Sequence, residues 1–197
     1  MRLVVGLGNP GDSYAHNRHN VGYMAIDEII KFHQLPPLRV KKRPHGELIE
    51  GQVSDHKLVI LKPLSFMNAS GKPVGDTMRY FNLKPEDVIV LHDEIDLILG
   101  KVRVKIGGGH AGHNGLRDIE KHIGNGFSRV RLGVGRPPTA TTVINHVLGN
   151  FSRSDRSLIQ PVLEAASKHL PLLLNGNSSD FMSRVAAETR EKTEEDY

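Results

Sequence analysis

The sequence predicts an α/β fold: a single domain with a mixed, mostly parallel, twisted sheet flanked by helices. Three observations predict it. Short apolar runs alternate with segments of helical periodicity along most of the 197 residues. That length suits one domain with a sizeable buried core. And four stretches share one format, an apolar run followed by a knot of polar residues: LVVGLGNPG (3–11), LVILKPLSFMN (58–68), VIVLHDEID (88–96) and KIGGGHAGHNG (105–115). A fifth knot, RHN (18–20), opens a helical segment. Ligands of open α/β sheets bind at the carboxyl ends of the strands. Asn9, His19, Asn20, Asn68, Asp93, His113 and Asn114 are therefore expected to share one cleft.

The elements follow in order. Residues 2–7 read as a buried strand, closed by the turn Asn9-Pro10-Gly11. Val21, Met24, Ala25, Ile29 and Phe32 fall at helical spacing between Asn20 and Gln34, and Pro36-Pro37 ends that helix. Residues 46–53 and 57–62 form a hairpin around Ser54-Asp55-His56, an antiparallel edge to the sheet. Asn68 is placed to N-cap a helix with Val74, Met78 and Phe81 on its buried stripe. Residues 88–92, 101–106 and 128–134 read as strands, and 114–123 as a short helix after a glycine loop. A long helix over 154–175 carries Leu158, Val162, Ala166 and Leu173 on one side, with Pro161 and Pro171 expected to bend or break it. A last helix starts near Ser178, and residues 191–197 are expected to form an acidic, disordered tail to a single domain over 1–190.

Composition removes several classes of function. With no Cys there is no disulfide framework, no thiolate nucleophile and no zinc-thiolate site. The apolar stretch before Asn9 is too short for a signal-peptide core, and no run approaches the ~18 apolar residues of a membrane span. A cytoplasmic, membrane-free monomer is the expectation. The net charge is +4, but residues 188–197 carry −3, so the remainder carries +7. A basic body with an acidic end points to an anionic partner.

The chemical signals differ in weight. Gly6-Leu7-Gly8-Asn9-Pro10-Gly11 matches G-x-G-x-x-G, but the acids about 20 residues on, Asp27 and Glu28, lie inside a helix pattern. Glycines that let a turn pass close to a ligand explain the segment better than a dinucleotide site. His16/His19 and His110/His113 form H-x-x-H pairs without a carboxylate cluster, which argues against metal. No G-x-S-x-G elbow exists. His19 and Asp93 are the best available acid/base pair, although a surface His and a capping Asp would read the same way. Lys101, Arg103 and Lys105 alternate along one strand and Arg129 and Arg131 along the next, so each set shares a face and suits phosphate. Arg39, Lys41, Lys42 and Arg43 form a second basic cluster.

Taken together, VGLGNPG…Y…RHNVG, KPLSFMNASG, HDEIDL and GGGHAGHNGLRDI resemble the bacterial-type peptidyl-tRNA hydrolase family, in order and spacing, over most of the first 135 residues. The departures are small: Asn17 and Ser65 stand where Thr is usual, and Ile98-Leu99 replaces a Pro-rich turn. The resemblance implies cleavage of the ester between a peptide and the 3′-terminal ribose of tRNA, with no cofactor and no metal. It implies His19 as general base and Asp93 as its orienting carboxylate. It implies Asn9, Asn68 and Asn114 as substrate-gripping amides, Tyr14 and Met67 lining the cleft, His113 beside them, and Lys105 and Arg131 on tRNA phosphate. The competing readings are a non-catalytic RNA-binding protein on the same scaffold and, more distantly, a metallopeptidase.

Overall fold

The computed structural model describes residues 1–42, 45–137 and 143–195, with side chains described as far as 190. Seven strands form one sheet: β1 (Arg2–Gly6), β2 (Arg39–Lys41), β3 (Gly46–Val53), β4 (His56–Pro63), β5 (Val88–Glu94), β6 (Val102–Ile106) and β7 (Ser128–Gly133). Their order is β2-β3-β4-β1-β5-β7-β6. β4, β1, β5 and β7 pair in parallel, the hairpin partner β3 and the edge strand β6 run against them, and β2 continues the hairpin edge. β2 was not expected from the sequence; its three residues are all exposed and carry no alternation to detect.

Period two divides the central strands between two cores. Val4, Ile60, Ile89, Leu91, Val130 and Leu132 face helices α1 (Val21–Phe32), α5 (Arg153–Lys168) and α7 (Ser178–Glu195). Leu3, Val5, Val59, Leu61, Val88 and Val90 face α2 (Gly71–Tyr80) and α3 (Asn114–Ile123). Parallel strands covered on both sides read as continuous aliphatic runs, which is why they were legible.

Three expectations need correction. Asn68 does not cap α2; it sits in a 3₁₀ turn over Met67–Ala69, and Ser70 precedes the helix. The long C-terminal helix breaks at His169, next to Pro171 as expected, and a short α6 (Leu170–Leu174) follows with Pro171 in its first turn; Pro161, expected to bend or break it too, lies inside α5. Leu158 and Phe32, placed on the apolar stripes of their helices by spacing, are exposed. A further short helix, α4 (Val143–Val147), was not expected.

Two close approaches place the chain ends that matter. A Cβ on Gly22 would lie 2.3 Å from the carbonyl oxygen of Leu91 and 2.5 Å from the amide of Leu7, so α1 can start against β1 and β5 only with glycine there. A Cβ on Gly115 would lie 2.6 Å from Met67 Sδ, which makes that residue the contact between the start of α3 and the turn after β4.

Candidate active site

Three parallel strands deliver their carboxyl ends to one place, where β1 lies between β4 and β5. Asn9 follows β1, Met67 and Asn68 follow β4, and Asp93 is the last residue but one of β5. The fourth polar knot arrives by another route. β6 runs antiparallel, so Ile106 lies level with Ser128 and Ile89, at the amino end of the parallel strands. Residues 107–113 must then climb about 13 Å, four strand residues, to bring His113 level with Asp93. Positive φ at Gly107, Gly108 and Gly112 permits that path. Arg129 holds it, donating from Nη1 to the carbonyl of Gly109 at 2.6 Å and stacking on Phe127.

Asp93 is the centre. Its Oδ1 is 2.8 Å from His19 Nδ1 and 2.9 Å from His113 Nε2, and its side chain is 3% exposed. Burial alone would raise this carboxyl, but the two imidazoles and their hydrogen bonds outweigh it and hold the group well below the usual carboxylate range. Asp93 is therefore an anion at any working pH. His19 comes from the 3₁₀ turn Arg18–Asn20 at the start of α1, and its Nε2 has no protein partner among the described residues. His92 lies beneath the pair, with Nδ1 donating to the Asp93 carbonyl at 2.7 Å. Burial, then the neighbouring His113, pushes His92 down to about 3, so it stays neutral.

The amides divide. Asn20 is 2% exposed and gives both its side-chain groups to the backbone of Asn9, so it shapes the turn and does not face substrate. Asn9 Oδ1 accepts the Met67 N–H at 2.8 Å, and Asn114 Oδ1 accepts Arg117 Nη2 at 2.6 Å. Both amides are thereby turned to offer N–H donors. Asn68 is exposed in its turn, Met67 is buried under it, and Tyr14 stands edge-on to the exposed Phe66, ring centroids 6.5 Å apart. Phe66 was not singled out from the sequence; an aromatic before Met67-Asn68 was the available signal.

A cavity of about 170 Å³ opens between His19, Asp93, His113 and Asn114 on one side and Ile144 and Val147 of α4 on the other. A larger groove, about 940 Å³, lies against α2, lined by His45, Lys72, Asp76, Arg79 and Tyr80, with Asp76 bonded to Lys72 and Arg79. Arg18 fastens the His19 turn to the C-terminal third through Asp155 at 2.7 Å and the Phe151 ring.

The basic face is smaller than expected. Arg103 and Lys105 lie opposite Arg131 and Arg129 in register, as the alternation requires. Arg129, however, is buried under the glycine loop, and Arg131 Nε is bound to Glu94 at 2.9 Å. Arg131 Nη1 and Nη2 and Lys105 Nζ have no partner among the described residues. Arg43 of the second cluster lies outside the described residues.

His19, Asp93 and His113 also form the one group among the described residues whose ligand atoms, all within 4.8 Å, could hold a metal. Their 2.8 and 2.9 Å separations are hydrogen-bond lengths, shorter than the roughly 3.3 Å edge of a tetrahedral zinc site. The pattern fits donors on a carboxylate better than a metal's ligands.

Residues 3–195 match the family model described as peptidyl-tRNA hydrolase. The chain is 50% identical over 190 residues to the peptidyl-tRNA hydrolase of Rhodospirillum rubrum, covering 96% of this chain and 77% of that one. It is 48% identical over 185 residues to that of Methylorubrum populi, covering 94% and 87%. The crystal structure of peptidyl-tRNA hydrolase from Acinetobacter baumannii superposes with a TM-score of 0.89 at 37% identity, covering 94% of each chain. By sequence and by fold, the chain belongs to the peptidyl-tRNA hydrolase family.

Proposed function

We propose that the protein hydrolyses the ester between a peptide and the 3′-terminal ribose of tRNA, with His19 as general base. The observation that carries this reading is the His19–Asp93 pair at the carboxyl edge of the sheet, with the second imidazole nitrogen left open to a cavity. Asp93 fixes the Nδ1–H tautomer of His19 and stabilises the imidazolium. Nε2 then takes a proton from water as the oxygen attacks the ester carbonyl. The tetrahedral intermediate collapses, the C–O bond to ribose breaks, and the imidazolium returns the proton to the departing ribose oxygen. Neutral amide donors suffice for the oxyanion, each worth roughly 3–4 kcal/mol.

The orientation of Asn9 and Asn114 supports substrate choice as well. Their oxygens are occupied by Met67 and Arg117, so they present donors. A donor pairs with the carbonyl of a peptide bond and finds no such partner in a free α-amine. Tyr14, Phe66, Met67 and Asn68 would hold the peptide side. Lys105 and the Nη groups of Arg131 would hold phosphate. A cytoplasmic monomer acting without metal or cofactor completes the reading.

The test is hydrolysis of labelled N-acetyl-aminoacyl-tRNA beside its unblocked counterpart, with and without chelator. Turnover of the blocked substrate, unaffected by EDTA, is expected. Binding of the tRNA without turnover would favour the RNA-binding reading, and loss after EDTA restored by one metal would favour the metal reading.

A further inference from the structure

Both nitrogens of His113 are committed, and to opposite roles. Nδ1 accepts the backbone N–H of Gly115 at 3.1 Å and of Leu116 at 3.3 Å, which caps α3. A nitrogen that accepts carries no proton, so the proton of the neutral ring sits on Nε2. Nε2 donates to Asp93 Oδ1, the oxygen that also takes His19. We propose that His113 is a positioning residue, a neutral donor locked in its Nε2–H form by the α3 cap, which holds Asp93 in place and takes up part of its charge, and so sets how firmly His19 holds a proton. This rests on His19 being the base.

Several features converge on it. With both nitrogens used, His113 has none left for substrate, so the side chain beside the cleft acts through Asp93. A proton on Nδ1 would face two N–H groups at the positive end of a helix, with the His19 ring centroid 5.0 Å away. The proton taken from water therefore goes to His19 Nε2. The neighbouring groups leave this arrangement alone. On β5, His92 is neutral and Glu94 is paired with Arg131 of β7. In the glycine loop, His110 Nδ1 accepts the Gly112 N–H. On α4, His146 Nε2 bonds the Val134 carbonyl, and Arg18 beside His19 is paired with Asp155 of α5.

The cap and the donor separate by substitution. In His113→Asn a short side chain still caps α3 but does not also reach Asp93. In His113→Ala both are lost. Imidazole ¹⁵N spectra of the free wild-type protein are expected to show His113 as the Nε2–H tautomer at neutral pH. His113→Asn should melt near wild type, while His113→Ala melts lower. In His113→Asn the freed carboxylate charge stabilises the His19 imidazolium, so the His19 ¹⁵N titration moves to higher pH by at least about half a unit. The acid limb of kcat/KM should move with it. An Nδ1–H or cationic His113 at neutral pH, or an unmoved His19 titration in His113→Asn, would overturn the proposal. The spectra need no substrate, so this outcome is independent of whether His19 catalyses, which His19→Ala decides through turnover.

Discussion

Asp93→Asn removes one charge and little else. The side chain keeps its shape, and an Asn oxygen could still accept from His19 and His113 at their present 2.8 and 2.9 Å. What disappears is the anion that balances the His19 imidazolium when water gives up its proton. The charge-assisted bond is worth roughly 1.5–3 kcal/mol and a neutral one roughly 0.5–1.5, so the bond alone accounts for about 1 kcal/mol. The full Coulomb attraction between charges about 4 Å apart, at an effective dielectric near 20, is about 4 kcal/mol. These bounds translate to a fall in kcat of between roughly fivefold and 10³-fold. The larger figure is favoured by the burial of Asp93, 3% exposed, which leaves little solvent to screen the loss. A turned amide, presenting N–H to His19, would add the wrong tautomer to the deficit. The assay is steady-state hydrolysis of N-acetyl-aminoacyl-tRNA over a pH series, with circular dichroism to verify the fold. A kcat unchanged within a factor of about three, on an unchanged pH profile, would refute the pairing.

Other outcomes follow from the same geometry. Lys105→Ala should raise KM for full-length peptidyl-tRNA and lower the magnitude of its log–log salt slope by up to about 1, while an N-blocked aminoacyl ester of adenosine is hydrolysed normally; equal losses on both substrates would place Lys105 in the catalytic cleft. Arg131→Ala should impair both substrates, because it leaves the buried Glu94 carboxylate unpaired one residue from Asp93; a defect confined to full-length tRNA would show that Arg131 acts on phosphate alone. His92 is held neutral down to about pH 3 when folded against 6.5 for the free residue, so the unfolded chain binds one more proton in that window. The folded state should thus lose up to about 1.4 kcal/mol per pH unit as pH falls through it, a slope that urea midpoints measure and that His92→Gln should reduce; an equally steep slope in that variant would remove His92 as its source.

What was legible in the sequence is what has a period or a fixed spacing. The strands of the central sheet declared themselves because both faces are buried, and the ends of β1, β4 and β5 declared the site because polar residues interrupt those runs. His19 and Asp93, 74 residues apart, were only the best pair available until the resemblance joined them. The route of the fourth knot was not legible, since nothing in KIGGGHAGHNG says that β6 runs antiparallel and that a glycine loop must return His113 to the carboxyl edge. The same reversal hid the burial of Arg129, which alternation put on a basic face and the loop then covered. The identical amide chemistry of Asn9 and Asn20 concealed that the side chain of Asn20 is spent on the backbone of Asn9 and builds its turn. The part played by the C-terminal third, through Asp155 and Phe151 against Arg18, is a contact across more than 130 residues that no local pattern announces.

His19 carries the proposed chemistry. Single-turnover hydrolysis of N-acetyl-aminoacyl-tRNA by His19→Ala, at enzyme concentrations that saturate the tRNA, isolates the chemical step from binding. A rate at least ~10²–10⁴ below wild type, with tRNA affinity and melting temperature retained, is the expected result. Hydrolysis within tenfold of wild type would contradict the central claim.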